Sequence, residues 1–124
     1  MGDASASYVN ANSIHHAYQR AAAIAGSNGA TVSRNFGYRI RGHAFFISDG
    51  SEQGNVIEEN LVVATMSSPA GLYSDRQPAG FWTASPTNTW RHNRAVSSSR
   101  RHAQLKFLPS SPTRFLRTLL VERL

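Results

Sequence analysis

Three carboxyl groups, Asp49, Glu52 and Asp75, lie in turn or loop stretches of the chain, and His43 stands a few residues ahead of the first. Glycoside cleavage needs two carboxyl groups flanking a bond, or another acid–base arrangement in a groove. These three carboxyls are therefore the catalytic candidates, with His43 as a proton carrier. Arg76 and Arg41 suit recognition of a planar carboxylate such as a uronate, because the guanidinium is itself planar and forked. Tyr73, Phe81 and Trp82 offer flat apolar surfaces to sugar rings. Each residue also has a structural reading. Asp49 before Gly50 is a turn signal, His43 fits a core position bonded to a neighbouring segment, and Glu52 fits a solvated side chain. Trp82 fits packing as well as ligand contact. No metal site is expected: His15 and His16, adjacent on a strand, would point to opposite faces, so only one could join His43. No cofactor is expected either.

The elements that must position these groups are read from the stretch Gly37 to Gly50. Tyr38–Arg41 and His43–Ile47 read as extended segments hinged at Gly42, and Asp49-Gly50 closes the second. An apolar residue followed three places later by Asn recurs at Val32/Asn35, Ile57/Asn60 and Trp90/Asn93, with Ile14/Ala17 as a degenerate first copy. The last positions are separated by 18, 25 and 33 residues. A fixed local pattern at unequal spacing predicts a solenoid with loop insertions. Ile14, Val32, Ile57 and Trp90 would then form an inward stack, and Asn35, Asn60 and Asn93 would bond the backbone of the next rung. The alanines of Ala22–Ile24, helix-favouring by propensity alone, fall in this register beneath Ala44–Phe46 and are expected as a strand.

The fold class is thus all-β, a right-handed parallel β-helix of three to four irregular coils. Residues 1–12 read as a flexible lead-in or the end of a missing coil, and 13–96 as a partial β-helix. Residues 97–124 read as a non-β, basic, Ser/Pro/Arg-rich tail, with an amphipathic period predicting a short helix over 113–124.

Composition narrows the partners. The chain has 124 residues, 40% of them hydrophobic, enough for one domain. Its formal net charge is +6, but most of that excess lies beyond residue 99. A basic tail without a basic folded face argues against specific nucleic-acid recognition. There is no cysteine, which excludes disulfides and thiolate metal sites. Neither a secretory leader nor an apolar run of spanning length is visible.

Several motifs together resemble a known family. Ile14-His15-His16, Gly26-x-Asn28-Gly29, Asn35-x-Gly37-Tyr38 and Gly42-His43-Ala44-Phe45-Phe46-x-x-Asp49-Gly50-x-Glu52 are followed by Gly54-Asn55 and Asn60. Asp75-Arg76-x-Pro78-Ala79, Phe81-Trp82-x-x-x-Pro86-x-Asn88 and Asn93 complete the set. This order is similar to the parallel β-helix region of the cell-migration-inducing hyaluronan-binding protein, transmembrane protein 2 and fibrocystin-like family, and to its microbial relatives most of all. Ala25 and Ser48 depart from it, where members usually carry His and Glu. The resemblance implies an extracellular or cell-surface, glycan-associated domain that binds or depolymerises hyaluronan, here as a fragment without full catalytic activity. The alternative is a structural β-helix fragment of a larger surface protein. Expected partners are an acidic polysaccharide, missing N- and C-terminal coils, or a second copy meeting the open solenoid ends.

Overall fold

The computed structural model describes residues 2–47, 51–68, 78–84 and 87–96, and the backbone of 105–107, 114–116 and 119–121. Sixteen short strands occur among them, and every pairing is parallel. They are β1 (Gly2–Asp3), β2 (Tyr8–Asn10), β3 (Ser13–His15), β4 (Ala22–Ile24), β5 (Ser27–Asn28), β6 (Thr31–Ser33), β7 (Phe36–Arg41) and β8 (Phe45–Ile47). There follow β9 (Gln53–Glu58), β10 (Leu61–Met66), β11 (Phe81–Thr83), β12 (Thr87–Arg91), β13 (Arg94–Val96), β14 (Leu105–Phe107), β15 (Arg114–Leu116) and β16 (Leu119–Val121).

Three sheets run the length of the molecule, in the orders β15-β12-β9-β6-β2, β16-β13-β10-β7-β3 and β14-β11-β8-β4. Successive strands of the chain pass from one sheet to the next, which makes a right-handed parallel β-helix. The axial stacks follow from the register. Val32, Ile57 and Trp90 align, as expected, but the residue below Val32 is Val9 and not Ile14. Ile14 instead begins a second column through Gly37, Val62 and Ala95. Ala22, Phe45 and Phe81 form a third. Ala22–Ile24 is a strand, as the register predicted, although it aligns with Phe45–Ile47, one residue later than expected.

The corners carry the specificity. Asn35 and Asn60 each accept from the backbone N–H of the equivalent residue one coil earlier and donate to a carbonyl there. Asn93 does the same for Asn60, whose N–H lies 3.1 Å from its Oδ1. The side-chain amides also bond one another at 3.0 Å from Asn35 to Asn60 and from Asn60 to Asn93. Asn12 heads this ladder, 23 residues before Asn35. A second ladder joins Asn55 to Asn88. Left-handed backbone is adopted not by the ladder asparagines but by the residue ahead of each: Ala11, Arg34, Glu59 and His92. The asparagines are thereby aimed into the coil, where a buried amide has backbone groups on both sides.

Residues 2–3 and 8–10 are strands paired to β5 and β6. One expectation needs correction: residues 105–107, 114–116 and 119–121 are strands as well, in register with β11, β12 and β13, and among the described residues of 113–124 there is no helix. The last coil ends in a row of open N–H and C=O groups, and an extended segment satisfies them where an isolated three-turn helix would not. Four coils and two sheet strands of a fifth are therefore present.

Candidate functional site

One corner column sets the geometry of the outer face. His16, Arg39 and Ala64 stand in consecutive coils with φ of 54°, 53° and 60°. Each follows a residue that already faces outward, so the alternation of the strand slips by one there. In β7, Phe36 and Tyr38 face out, Gly37 and Ile40 face in, and Arg39 and Arg41 face out around Ile40. The same slip exposes both His15 and His16 below, since His15 pairs with Tyr38.

The outcome is a basic, aromatic corner. His16, Ala17, Tyr18, Arg39, Arg41 and Met66 line a cleft of about 200 Å³. Phe36 and Tyr38 lie beside it with ring planes 8° apart and centroids at 6.5 Å. The edge of His16 meets Tyr38 at 5.8 Å. The Arg41 guanidinium donates to the Ser67 carbonyl at 3.3 Å, which holds one end of that side chain over the next coil. Two guanidiniums, an imidazole and a phenol surround one hollow, and a guanidinium is of the shape and charge to pair with an oxyanion.

The other sequence candidates are placed differently. His43 is fully buried, its Nδ1 accepting from the Ala79 N–H at 2.9 Å, and its ring stacks on Phe46 and Trp82. Trp82 lies half-buried on Phe46 with centroids 4.7 Å apart, and the Arg20 guanidinium stands 4.0 Å from the Phe46 ring centre. Glu52 is fully buried at another corner, where its carboxylate accepts from the Gly26 N–H at 3.1 Å. Gly42 turns the chain with φ of 77°. Ser48, Asp49, Gly50, Tyr73, Asp75 and Arg76 lie outside the described residues, so their relation to this corner is not described. Among the described residues, no three His, Cys, Asp or Glu side chains gather as a metal site.

Glu52 and His43 therefore anchor backbone. Glu52→Ala is expected to destabilise the chain by about 1–3 kcal/mol, because the half-buried Gly26 N–H loses its charged acceptor. Glu52→Gln, which keeps a carbonyl oxygen there, should lose less. Urea unfolding of both variants checks this.

The sequence reading found Arg41 but missed His16, Tyr18, Phe36, Tyr38, Arg39 and Met66. The signal was present: Val9-x-x-Asn12 obeys the same apolar-x-x-Asn rule as the later copies. Aligning Asn12 with Asn35 puts His15 on Tyr38 and His16 on Arg39. The copy at Ile14/Ala17 concealed this register.

Comparisons with known proteins agree with the fold. Residues 1–119 match the family model described as the CEMIP beta-helix. The chain is 47% identical to human fibrocystin-L over 87 residues, 70% of this chain and 2% of the relative. It is 39% identical over 64 residues to the cell surface hyaluronidase of Danio rerio, covering 52% of this chain and 5% of the relative. To the human cell migration-inducing and hyaluronan-binding protein it is 38% identical over 69 residues, 56% of this chain and 5% of the relative. The chain thus spans only a small part of the length of these relatives. No solved structure matches it.

Proposed function

Given that the chain belongs to the CEMIP β-helix family, we propose that it is a glycan-associated β-helix that holds an acidic polysaccharide of the hyaluronan type. The observation that carries this reading is the convergence of Arg39 and Arg41 with His16 and Tyr18 around one cleft, beside the exposed Phe36–Tyr38 pair. A uronate carboxylate would sit between the guanidiniums, and the apolar face of an adjoining sugar ring would lie on Tyr38. Arg76, Tyr73 and Trp82 would extend contact along the sugar chain.

Catalysis, where present, would draw on Asp49 and Asp75, since His43 and Glu52 are buried and hold backbone groups. The chain is therefore read as binding more than it cuts. Similarity to a relative named for the cell surface supports an extracellular setting. Among the described residues no helix is long and apolar enough to cross a membrane.

Hyaluronan oligosaccharides titrated against the chain by calorimetry should bind saturably. The Arg39→Ala/Arg41→Ala double variant should lose roughly tenfold or more in affinity, the scale of one lost charge-assisted contact. Equal affinity in the double variant, or binding abolished by added salt, would replace this reading with non-specific attraction to the basic charges.

A second reading, of a structural coil in a larger surface protein, is favoured by the open side of the first coil. There β2, β3 and β4 are the end strands of their sheets, and Tyr8, Val9, Ala22, Ile24 and Val32 line a hollow of about 450 Å³. A further coil, or a second copy of this chain, would cover it.

A further inference from the structure

The expectation of no metal site rested on adjacent strand histidines diverging, and the structure removes that premise. His15 ends β3, while His16 has left-handed backbone with φ of 54°, so the two imidazoles turn toward each other. Their Nδ1 atoms stand 2.9 Å apart with the rings at 90°. We propose that His15 and His16 form a two-nitrogen chelate for a divalent first-row transition metal, copper(II) above nickel(II) and zinc.

The spacing carries the argument. Two imidazole nitrogens each about 2.0–2.1 Å from one ion and separated as here subtend about 90° at it. That is the angle between neighbouring ligands in square-planar or octahedral geometry. Tetrahedral zinc would need the nitrogens about 3.3 Å apart at the same bond length. Nitrogen-only donors also disfavour calcium and magnesium, which take oxygen ligands. Both rings are exposed, so water completes the coordination shell.

The ring pair is partly held in advance. Tyr38 packs edge-on against His16 from the next coil, and the chain direction at His16 is fixed by its N–H donating to the Tyr38 carbonyl at 3.0 Å. The ion takes the place of the Nδ1–Nδ1 hydrogen bond, each neutral ring turning its Nδ1 lone pair to the metal and keeping its one proton on Nε2. The charged groups that line the adjoining cleft with His16 are Arg39 and Arg41. They oppose a dication, but as exposed side chains they are screened by salt and water.

The test uses the full chain made without a polyhistidine tag, titrated with copper(II), nickel(II), zinc and calcium chlorides at pH 7.5. Calorimetry gives affinity, and electron paramagnetic resonance of the copper form counts nitrogen ligands. One equivalent of copper with a two-nitrogen signal is expected, and no calcium uptake. His15→Gln and His16→Gly should each weaken copper binding by about tenfold or more, the usual scale for disturbing a metal site. His16→Gly keeps the left-handed backbone, and circular dichroism confirms that the variant is folded. His92→Asn, at the exposed histidine elsewhere on the coil, should change nothing. Absent copper uptake, unchanged affinity in both folded variants, or an equal loss in His92→Asn overturns the proposal.

Discussion

Asn60→Ala is expected to lower the free energy of unfolding by about 3–5 kcal/mol, enough to unfold much of a domain of ordinary stability. Asn60 is 1% exposed and sits in the middle of the corner ladder. Its Oδ1 accepts from both the N–H and the side-chain amide of Asn35, and its Nδ2 donates to the Val32 carbonyl and Asn93 Oδ1. Alanine would leave groups on both neighbouring coils buried without those partners, at a corner where Asn35, Asn60 and Asn93 are all buried. Each such group costs about 1–3 kcal/mol. Asn12→Ala is the matched comparison. It occupies the same repeat position but is exposed, and its side chain bonds only Asn10 and Asn35 on one side. It should cost under about 1 kcal/mol, since water replaces what is lost. Urea titration followed by circular dichroism separates the two. Similar midpoints for both variants would show that the ladder does not set the stability of the coil.

The second large effect is expected at Trp90. It is fully buried in β12, in register with Ile57 below, and it meets Phe81 edge-on at 5.9 Å. Trp90→Ala should cost about 3–5 kcal/mol through lost transfer energy and the cavity left between coils. Trp90→Phe, which keeps an aromatic ring against Phe81, should cost markedly less. Trp82 remains in both variants as the fluorescent reporter. An unchanged slope of free energy against urea, with a shifted midpoint, would show a change in stability and not in the unfolded ensemble. A cost for Trp90→Ala no greater than that of an exposed substitution would mean the inward stack contributes little.

Both predictions depend on residues that the sequence already marked. Val32, Ile57 and Trp90 were legible as a stack, and Asn35, Asn60 and Asn93 as a ladder, because each coil repeats the same local demand. An apolar side chain must fill the interior, and three residues later a small amide must serve the turn. Neighbouring coils select the same residue types at the same place, so periodicity survives even where coil length changes. The first coil broke the reading. Tyr8 and Val9 are the apolar exception in an otherwise polar run outside the repeat pattern, whereas Ile14 stands where the pattern begins. Ile14 packs against the core in the column of Gly37 and Val62, whereas Val9, in register with Val32, is exposed. A register error of this kind moves every later side chain in the coil to the wrong neighbour.

The tail shows a different failure. Its Ser/Pro breaks and the helical period of its last residues are local signals. Strand formation there depends on the open ladders of β11, β12 and β13, which no local window contains.

By itself, then, the sequence determined the parallel β-helix, its asparagine corners and most of its inward stack, since these repeat along the chain. Only the tertiary structure decided which outward residues meet. His16 and Arg39 take left-handed backbone, and that one torsion places His15 beside His16 and Arg39 beside Tyr38 on the outer face. Composition does not encode it, because left-handed backbone is uncommon for any residue but glycine, and arginine, alanine and glutamate carry no signal for it. The stacking of coils imposes it, by requiring a bend at the same point in three successive turns.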